Sequence, residues 1–103
     1  MRITDTLKKL DIPAAFGRFT TAQEPPFVVY LGAGQDHFAT DNADISRNAY
    51  QVEYYFTRKD EDRETEIEKI LAADGWAYEK SGDTYIQNED LWLIYYDVRK
   101  RGW

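Results

Sequence analysis

The chain has 103 residues and a formal net charge of −6, and 43% of its residues are hydrophobic and 16% aromatic. This length has room for one domain with one modest core, so we expect a single domain over residues 1–103. The charge argues against a general duplex-DNA binder. The lack of cysteine excludes disulfides, thiol nucleophiles and zinc-thiolate sites, and it fits synthesis in a reducing cytoplasm.

The apolar residues are spread along the chain in short runs. None of these runs approaches the roughly 20 residues of a membrane helix. The first ten residues, MRITDTLKKL, contain polar side chains where a signal peptide needs an unbroken apolar core. We therefore expect a protein without a membrane partner.

The first predicted element is a short helix. Three apolar residues share one helical face: Ile3, Leu7 and Leu10. Thr4 or Asp5 is placed to cap or charge the first turn, and Pro13 predicts that the helix ends near residues 11–12.

Two short strands and a long loop come next. The pattern predicts an edge strand over Ala14–Phe19, a loop that includes Pro25 and Pro26, and a strand over Phe27–Leu31. Residues 32–46 are rich in Gly, Asp and Asn and predict a long turn-rich connection with little reason to pack on its own.

The segment 49–80 predicts a strand, a helix and a second strand. Apolar and polar residues alternate from Tyr50 to Phe56, which places one set of side chains on a buried sheet face. Acidic residues gather where the helix would begin, near Asp60, because unpaired N–H groups and the helix dipole favour them there. Gly75 is a left-handed stop, and extended chain resumes at Trp76.

Turns at residues 81–83 and 88–90 separate the last predicted strands, 84–87 and 91–98. The order of elements predicts an α+β domain with a single antiparallel or mixed sheet and two helices on one face. We expect residues 50, 52, 54 and 56 to pack against Ile67, Ile70 and Leu71, with Leu7 and Leu10 beside them.

Strands 27–31 and 91–98 are apolar on both faces. Two short helices cover only one face of a sheet, so the second apolar set is expected to meet the long loop, the residues after the last strand or another subunit. The alternative is that central strands of a small domain are simply apolar. Four aromatic residues are candidates for a subunit interface: Tyr30, Tyr55, Trp92 and Tyr95.

The sequence contains no convincing catalytic, cofactor or metal site. His37, the only histidine, is interpreted as an ordinary loop residue, and Gly32 and Gly34 do not continue into a dinucleotide-binding motif. Ser46 and Ser81 lack the flanking residues of a nucleophile elbow. The basic segment Arg99–Trp103 is either a frayed solubilising end or a contact for nucleic acid. We expect no enzyme, no cofactor and no small-molecule substrate.

Three stretches carry a resemblance to a known family: PPFVVYLGAGQDHFATDNADIS, YQVEYYFTRKDEDRETEIEKILAADGWAYEK and WLIYYDVR. They resemble small prophage tail-gene products of Gram-positive bacteria, from about Pro25 to Arg99. The group has a PPF-Y strand, a strand followed by T-K-K-D-x-E-x-E, a helix and a G-x-x-Y/F-x-K strand. The chain departs from this pattern in carrying Trp76 and the basic segment. The group is similar to the tail terminator, or head-to-tail joining, proteins of long-tailed phages.

The resemblance implies a virion structural protein, made in the host cytoplasm, that forms a homo-oligomeric and typically hexameric ring on the tail tube. Its partners would be copies of itself and other tail or connector proteins, and DNA would pass without specific binding. In such a ring, four acidic residues are candidates for the lumen: Asp60, Glu61, Asp62 and Glu64. The alternative is a small phage-encoded binding or regulatory module that docks a host protein by sheet addition.

Overall fold

The computed structural model of the chain describes residues 2–33 and 49–100. These residues form two helices and six strands, in the following order: α1 (Ile3–Leu7), β1 (Ala14–Phe16), β2 (Phe27–Gly32), β3 (Ala49–Phe56), α2 (Glu61–Ala73), β4 (Trp76–Lys80), β5 (Thr84–Ile86) and β6 (Leu91–Lys100). Each predicted helix and strand is present, with boundaries that differ from the expected ones by a few residues.

The six strands form one mixed sheet with the order β1-β2-β3-β6-β4, and β5 also pairs with β6. The β1 strand is parallel to β2, and the other pairs are antiparallel. The longest pairing joins β3 and β6, in a register that runs from Ala49 opposite Arg99 to Phe56 opposite Trp92. The predicted α+β class with a single sheet is therefore confirmed.

Both described helices pack on the same face of the sheet, which we call the helix face. Val52, Tyr54 and Phe56 of β3 belong to one buried cluster with Ile67 and Leu71 of α2. Residues of the first helical segment, of the turn after it and of three other strands complete this cluster: Ile3, Leu7, Leu10, Ile12, Val28, Tyr30, Trp76, Ile94, Tyr96 and Val98. Because strand side chains alternate between faces, this cluster fixes which residues point toward the helices. The predicted core packing is confirmed.

The ends of α2 are set by local sequence, as predicted. The Asp60 carboxylate accepts a hydrogen bond from the Arg63 backbone N–H at 3.2 Å, which satisfies one of the unpaired donors at the helix start. Gly75 follows the helix with φ of +87°, a conformation that side chains with a Cβ atom rarely adopt.

The start of α1 matches the expectation in part, because Asp5 places its charge in the first turn but no side chain caps the helix. Arg2 occupies the N-cap position without a side-chain cap, and Thr4 lies inside the helix. The Thr4 hydroxyl instead shares a hydrogen bond with the Tyr30 hydroxyl at 2.8 Å. Thr6 is fully buried and accepts a hydrogen bond from Trp76 Nε1 at 3.2 Å. Contacts with the sheet therefore hold this short helix in place.

An ion pair joins the first helical segment to the end of α2. Lys9 Nζ lies 2.6 and 2.8 Å from the two carboxylate oxygens of Asp74. The hydrogen bond from Lys9 holds the pKa of Asp74 below its ordinary value.

The carboxyl group of Glu68 also has a lowered pKa. Burial alone would raise the pKa of Glu68, but hydrogen bonds from Lys80 and Tyr96 outweigh this effect and lower it.

These two lowered pKa values predict a loss of stability in acid. A carboxyl group whose pKa is lower in the folded state contributes stability above its unfolded pKa, and the contribution disappears as the pH falls through the folded pKa. We therefore expect the melting temperature to fall as the pH drops below about 4, near the ordinary pKa of Asp and Glu. The Asp74→Asn variant should lose part of this pH dependence in thermal melts between pH 7 and 3. An unchanged profile would contradict a role for the Lys9 pair.

Candidate interaction surface

The side of the sheet opposite the helices carries a mixed aromatic and polar surface, which we call the open face. Its central part includes ten side chains: Phe27, Val29 and Leu31 of β2, Gln51, Glu53 and Tyr55 of β3, and Leu91, Leu93, Tyr95 and Asp97 of β6. Val29 and Leu93 are buried, at 7% and 4% exposed, whereas Phe27, Tyr55 and Tyr95 are partly exposed. The apolar character of both faces of β2 and β6 is thus confirmed, and both described helices leave this face free.

Aromatic rings line one end of the open face. The ring of Phe27 stacks on that of Tyr55 with a centroid distance of 5.0 Å and an angle of 26°. Phe19, from the loop before β2, meets Phe27 edge-on at 5.4 Å. Such pairs favour a fixed arrangement of the rings beyond their burial alone. They present a continuous aromatic surface across two strands and the neighbouring loop.

A carboxylate lies beside these rings. The Tyr55 hydroxyl donates a hydrogen bond to Glu53 Oε1 at 2.8 Å. Burial, this hydrogen bond and the negative charges of Glu53 and Glu89 all raise the pKa of Tyr55 above its ordinary value. Tyr55 therefore stays protonated and acts as a hydrogen-bond donor rather than as an acid or base. The negative charges of Glu53 and Glu89 thus both favour the protonated form of the Tyr55 hydroxyl.

A shallow groove of about 730 Å³, which we call the end groove, follows this aromatic end of the sheet. Its floor includes Phe27, Val29, Tyr55 and Leu91, and the loop over residues 17–25 borders it. The charged residues in its lining are Arg18, Glu53, Glu89 and Asp90. Three carboxylates against one guanidinium give the groove a negative charge. It combines an aromatic floor with acidic walls.

The structure places Tyr30 in the core of the subunit. Tyr30 lies on the helix face, is 7% exposed and belongs to the core cluster. The contact with α1 covers most of Tyr30 within the subunit, which leaves little of its surface for the interface that the sequence suggested. Both faces of β2 are apolar, so alternation alone did not reveal which face the helices cover.

The other three candidate aromatics are on two sides of the sheet. Tyr55 and Tyr95 lie on the open face, where each is partly exposed. Trp92 lies on the helix face, 38% exposed, and forms a ring pair with Tyr85, which is 43% exposed, at a centroid distance of 5.1 Å. We call Tyr85 and Trp92 the aromatic pair. The interface role of Tyr55, Trp92 and Tyr95 stays a prediction.

The four acidic residues at the start of α2 differ in their exposure to solvent. Glu61 and Asp62 are exposed, and Asp60 is exposed while its carboxylate caps the helix. Glu64 is 2% exposed and therefore lies in the core, contrary to its proposed place on an acidic lumen surface. Its Oε1 accepts hydrogen bonds from Lys59 at 3.1 Å and from Lys80 at 2.8 Å, and these two positive charges offset its own.

Phe19 and Glu53 were not predicted from the sequence as parts of the open face or its end groove, whereas Phe27 and Leu91 belong to the strands predicted to be apolar on both faces. Phe19, Phe27, Glu53 and Leu91 belong to the groove or to its aromatic surface. The alternation of side chains along β3 places Glu53 and Tyr55 on the same face, so their proximity can be predicted from the sequence. Residues of the 17–25 loop and of the turn before β6 line the same groove, an arrangement that no local pattern specifies.

Some predicted features lie outside the described residues. These are His37, Ser46, most of the 32–46 loop and residues 101–103. Within residues 2–33 and 49–100, no group of three or more His, Cys, Asp or Glu side chains is placed to hold a metal ion. Neither described helix combines the length and the apolar character needed to cross a membrane.

Comparison with known proteins adds no relative. No protein-family model, no curated protein and no solved structure matches this chain. The arguments about function therefore depend on the surfaces described above and on the resemblance noted in the sequence.

Proposed function

We propose that this chain is a structural subunit of a phage or prophage virion, a tail terminator or head-tail joining protein that assembles into a homo-oligomeric ring on the tail tube. The observation that carries the proposal is the open face, where Phe27, Tyr55 and Tyr95 remain partly exposed opposite the helix-covered side. Aromatic side chains of this kind are enriched in the centres of protein interfaces.

A closed ring needs two different patches on each subunit, because its contacts run head to tail. The described residues offer two such patches. One is the open face, and the other is the aromatic pair, Tyr85 and Trp92, on the helix face. Their positions on opposite faces of the sheet support a heterologous contact rather than a self-complementary one.

The charge of the chain also fits this proposal. With a net charge of −6, a ring of such subunits would repel DNA and let it pass with little adhesion. We propose Asp60, Glu61 and Asp62 as residues that face the lumen, and Glu64 no longer belongs to this group because it is buried. The proposed location is the tail or neck of the virion, after synthesis in the bacterial cytoplasm.

The proposal predicts self-association through the open face. We expect the purified protein to reach a mass of several subunits, six by resemblance, as its concentration rises in light scattering or sedimentation. The Tyr95→Glu variant should shift the protein toward the monomer, because it places a charge in the contact. Lys69→Glu, on the exposed surface of α2, is the matched control and should assemble normally.

A second set of samples should include purified tail tubes, since assembly of a ring can require that template. A wild-type protein that stays monomeric at high concentration and does not bind tail tubes would contradict the ring. That result would favour the alternative, a small module that docks a host protein by sheet addition. The edge strand β4, with four exposed residues from Ala77 to Lys80, is the feature that suits such pairing.

A further inference from the structure

The end groove has a chemistry that selects its occupant. Its floor is aromatic and aliphatic, and three of its four charged lining residues are acidic. A ligand that fits such a site carries positive charge together with an aromatic ring, because acidic walls attract cations and exposed rings stack with other rings or with guanidinium groups.

The chain itself contains one segment with this chemistry. The basic segment, Arg99–Trp103, has the sequence RKRGW, with three consecutive cationic residues and a tryptophan within five positions. The exposed Arg99 belongs to β6, and residues 101–103 lie outside the described residues. The acidic groove and the basic segment have opposite charges, and both contain aromatic rings that can stack on each other.

Within one subunit the basic segment cannot reach the far end of the groove, at Glu89 and Leu91, although Glu53, opposite Tyr95 in the sheet, lies nearer to Arg99. Leu91, at one end of β6, lines the groove, whereas Lys100 ends the same strand. Nine residue steps of extended strand separate these positions by about 30 Å. Residues 101–103 can reach at most about 10 Å beyond Lys100. The basic segment of a second copy is not limited in this way.

We infer that the end groove of one subunit binds the basic segment of a second copy, with Arg99 and Arg101 facing Glu53 and Glu89 and with Trp103 against Phe27 and Tyr55. This inference rests on the self-association proposed above and adds a specific contact at one end of the open face. Repeated head to tail, this contact between two different surfaces produces a ring or a filament.

The test uses a fluorescein-labelled peptide of residues 98–103, VRKRGW, and a full-length protein whose own segment is disabled by Arg101→Glu and Trp103→Ala. This host protein keeps its groove intact and leaves it open to the peptide. We expect saturable binding in fluorescence anisotropy, and binding that weakens as salt is raised, because salt screens the charges.

Two further variants of the host protein locate the contact. Glu89→Lys should weaken peptide binding at least tenfold, because it reverses a charge in the wall of the groove. Glu61→Lys makes the same charge change on the exposed start of α2 and should alter the affinity less than twofold. Peptide with Trp103→Ala should also bind at least tenfold more weakly to the unchanged groove.

The outcomes separate this inference from the proposed function. Absence of saturable binding, or binding that Glu89→Lys leaves unchanged, would overturn the groove contact, even if the wild-type protein forms rings. A wild-type mass that excludes a ring would contradict the proposed function, while peptide binding lost in Glu89→Lys would still establish the contact between groove and segment.

Discussion

Replacing Leu71 or Phe56 by alanine is expected to lower the free energy of unfolding by about 2–5 kcal/mol in each case. Leu71 is fully buried and Phe56 is 3% exposed, and both belong to the cluster between α2 and the sheet. Phe56 also stacks on Tyr54 at a centroid distance of 5.1 Å. Each substitution removes apolar contacts and leaves a cavity that the surrounding helix and strands fill only in part.

Urea denaturation followed by circular dichroism measures this loss. A domain of this size has a total stability of about 5–15 kcal/mol, so the expected loss is a large fraction of it. Lys69→Ala is the matched control on α2, since its side chain is exposed, and it should change stability by less than about 0.5 kcal/mol. If Leu71→Ala and Phe56→Ala both melted close to the wild type, the packing of α2 on the sheet would be refuted.

Removing both lysines that surround Glu64 is expected to have a comparable effect. Glu64 is 2% exposed, and Lys80 Nζ and Lys59 Nζ lie within 2.8 and 2.9 Å of its carboxylate oxygens. The hydrogen bond to Glu64 raises the pKa of Lys59. Burial would lower the pKa of Lys80, but hydrogen bonds to Glu64 and Glu68 outweigh it and raise the pKa. Both lysines therefore stay charged beside the buried carboxylate.

The Lys59→Met/Lys80→Met variant leaves that carboxylate buried without an opposite charge. Loss of the partners of a buried ion costs about 3–5 kcal/mol, and we expect the lower end because both lysine heads are partly exposed. The surface pair of Lys59 with Asp83 adds little to this value. Chemical denaturation of the double variant gives the number directly.

A third substitution tests the cause of this loss. Adding Glu64→Leu to the double variant should recover most of the stability, because an apolar residue of similar size suits the buried position once the lysines are gone. Lys69→Met controls for the removal of a lysine from the exposed part of α2. A double variant as stable as the wild type, or a triple variant that recovers nothing, would show that the charges on Lys59 and Lys80 do not hold Glu64 in place.

The placement of Glu64 shows how one sequence signal can hide another. Acidic residues crowd the first turn of α2, where capping and the helix dipole explain them. Glu64 nevertheless stands three and seven residues before Ile67 and Leu71, on the helical stripe that faces the core. Capping and dipole compensation explain the other acidic residues of this turn, but helical periodicity places Glu64 on the buried side of α2.

The sequence by itself determined the elements whose causes are local. The alternation in β3, the cap at Asp60, the apolar stripe of α2 and the left-handed stop at Gly75 each involve residues within one or two turns of each other, so their pattern is readable along the chain. The α+β class followed from the order of these elements, because two helices and several strands of this length pack in few ways.

Only the tertiary structure decided which strands are neighbours and which face of each strand meets the helices. The β6 strand lies between β3 and β4, β1 runs parallel to β2, and Tyr30 points toward α1, and none of these follows from a local pattern. The physical reason is that β2 and β6 are apolar on both faces, so burial energy alone permits either orientation. Long-range pairing and the docking of the helices on one side select between them, and the same selection leaves the open face and its end groove uncovered by the described helices.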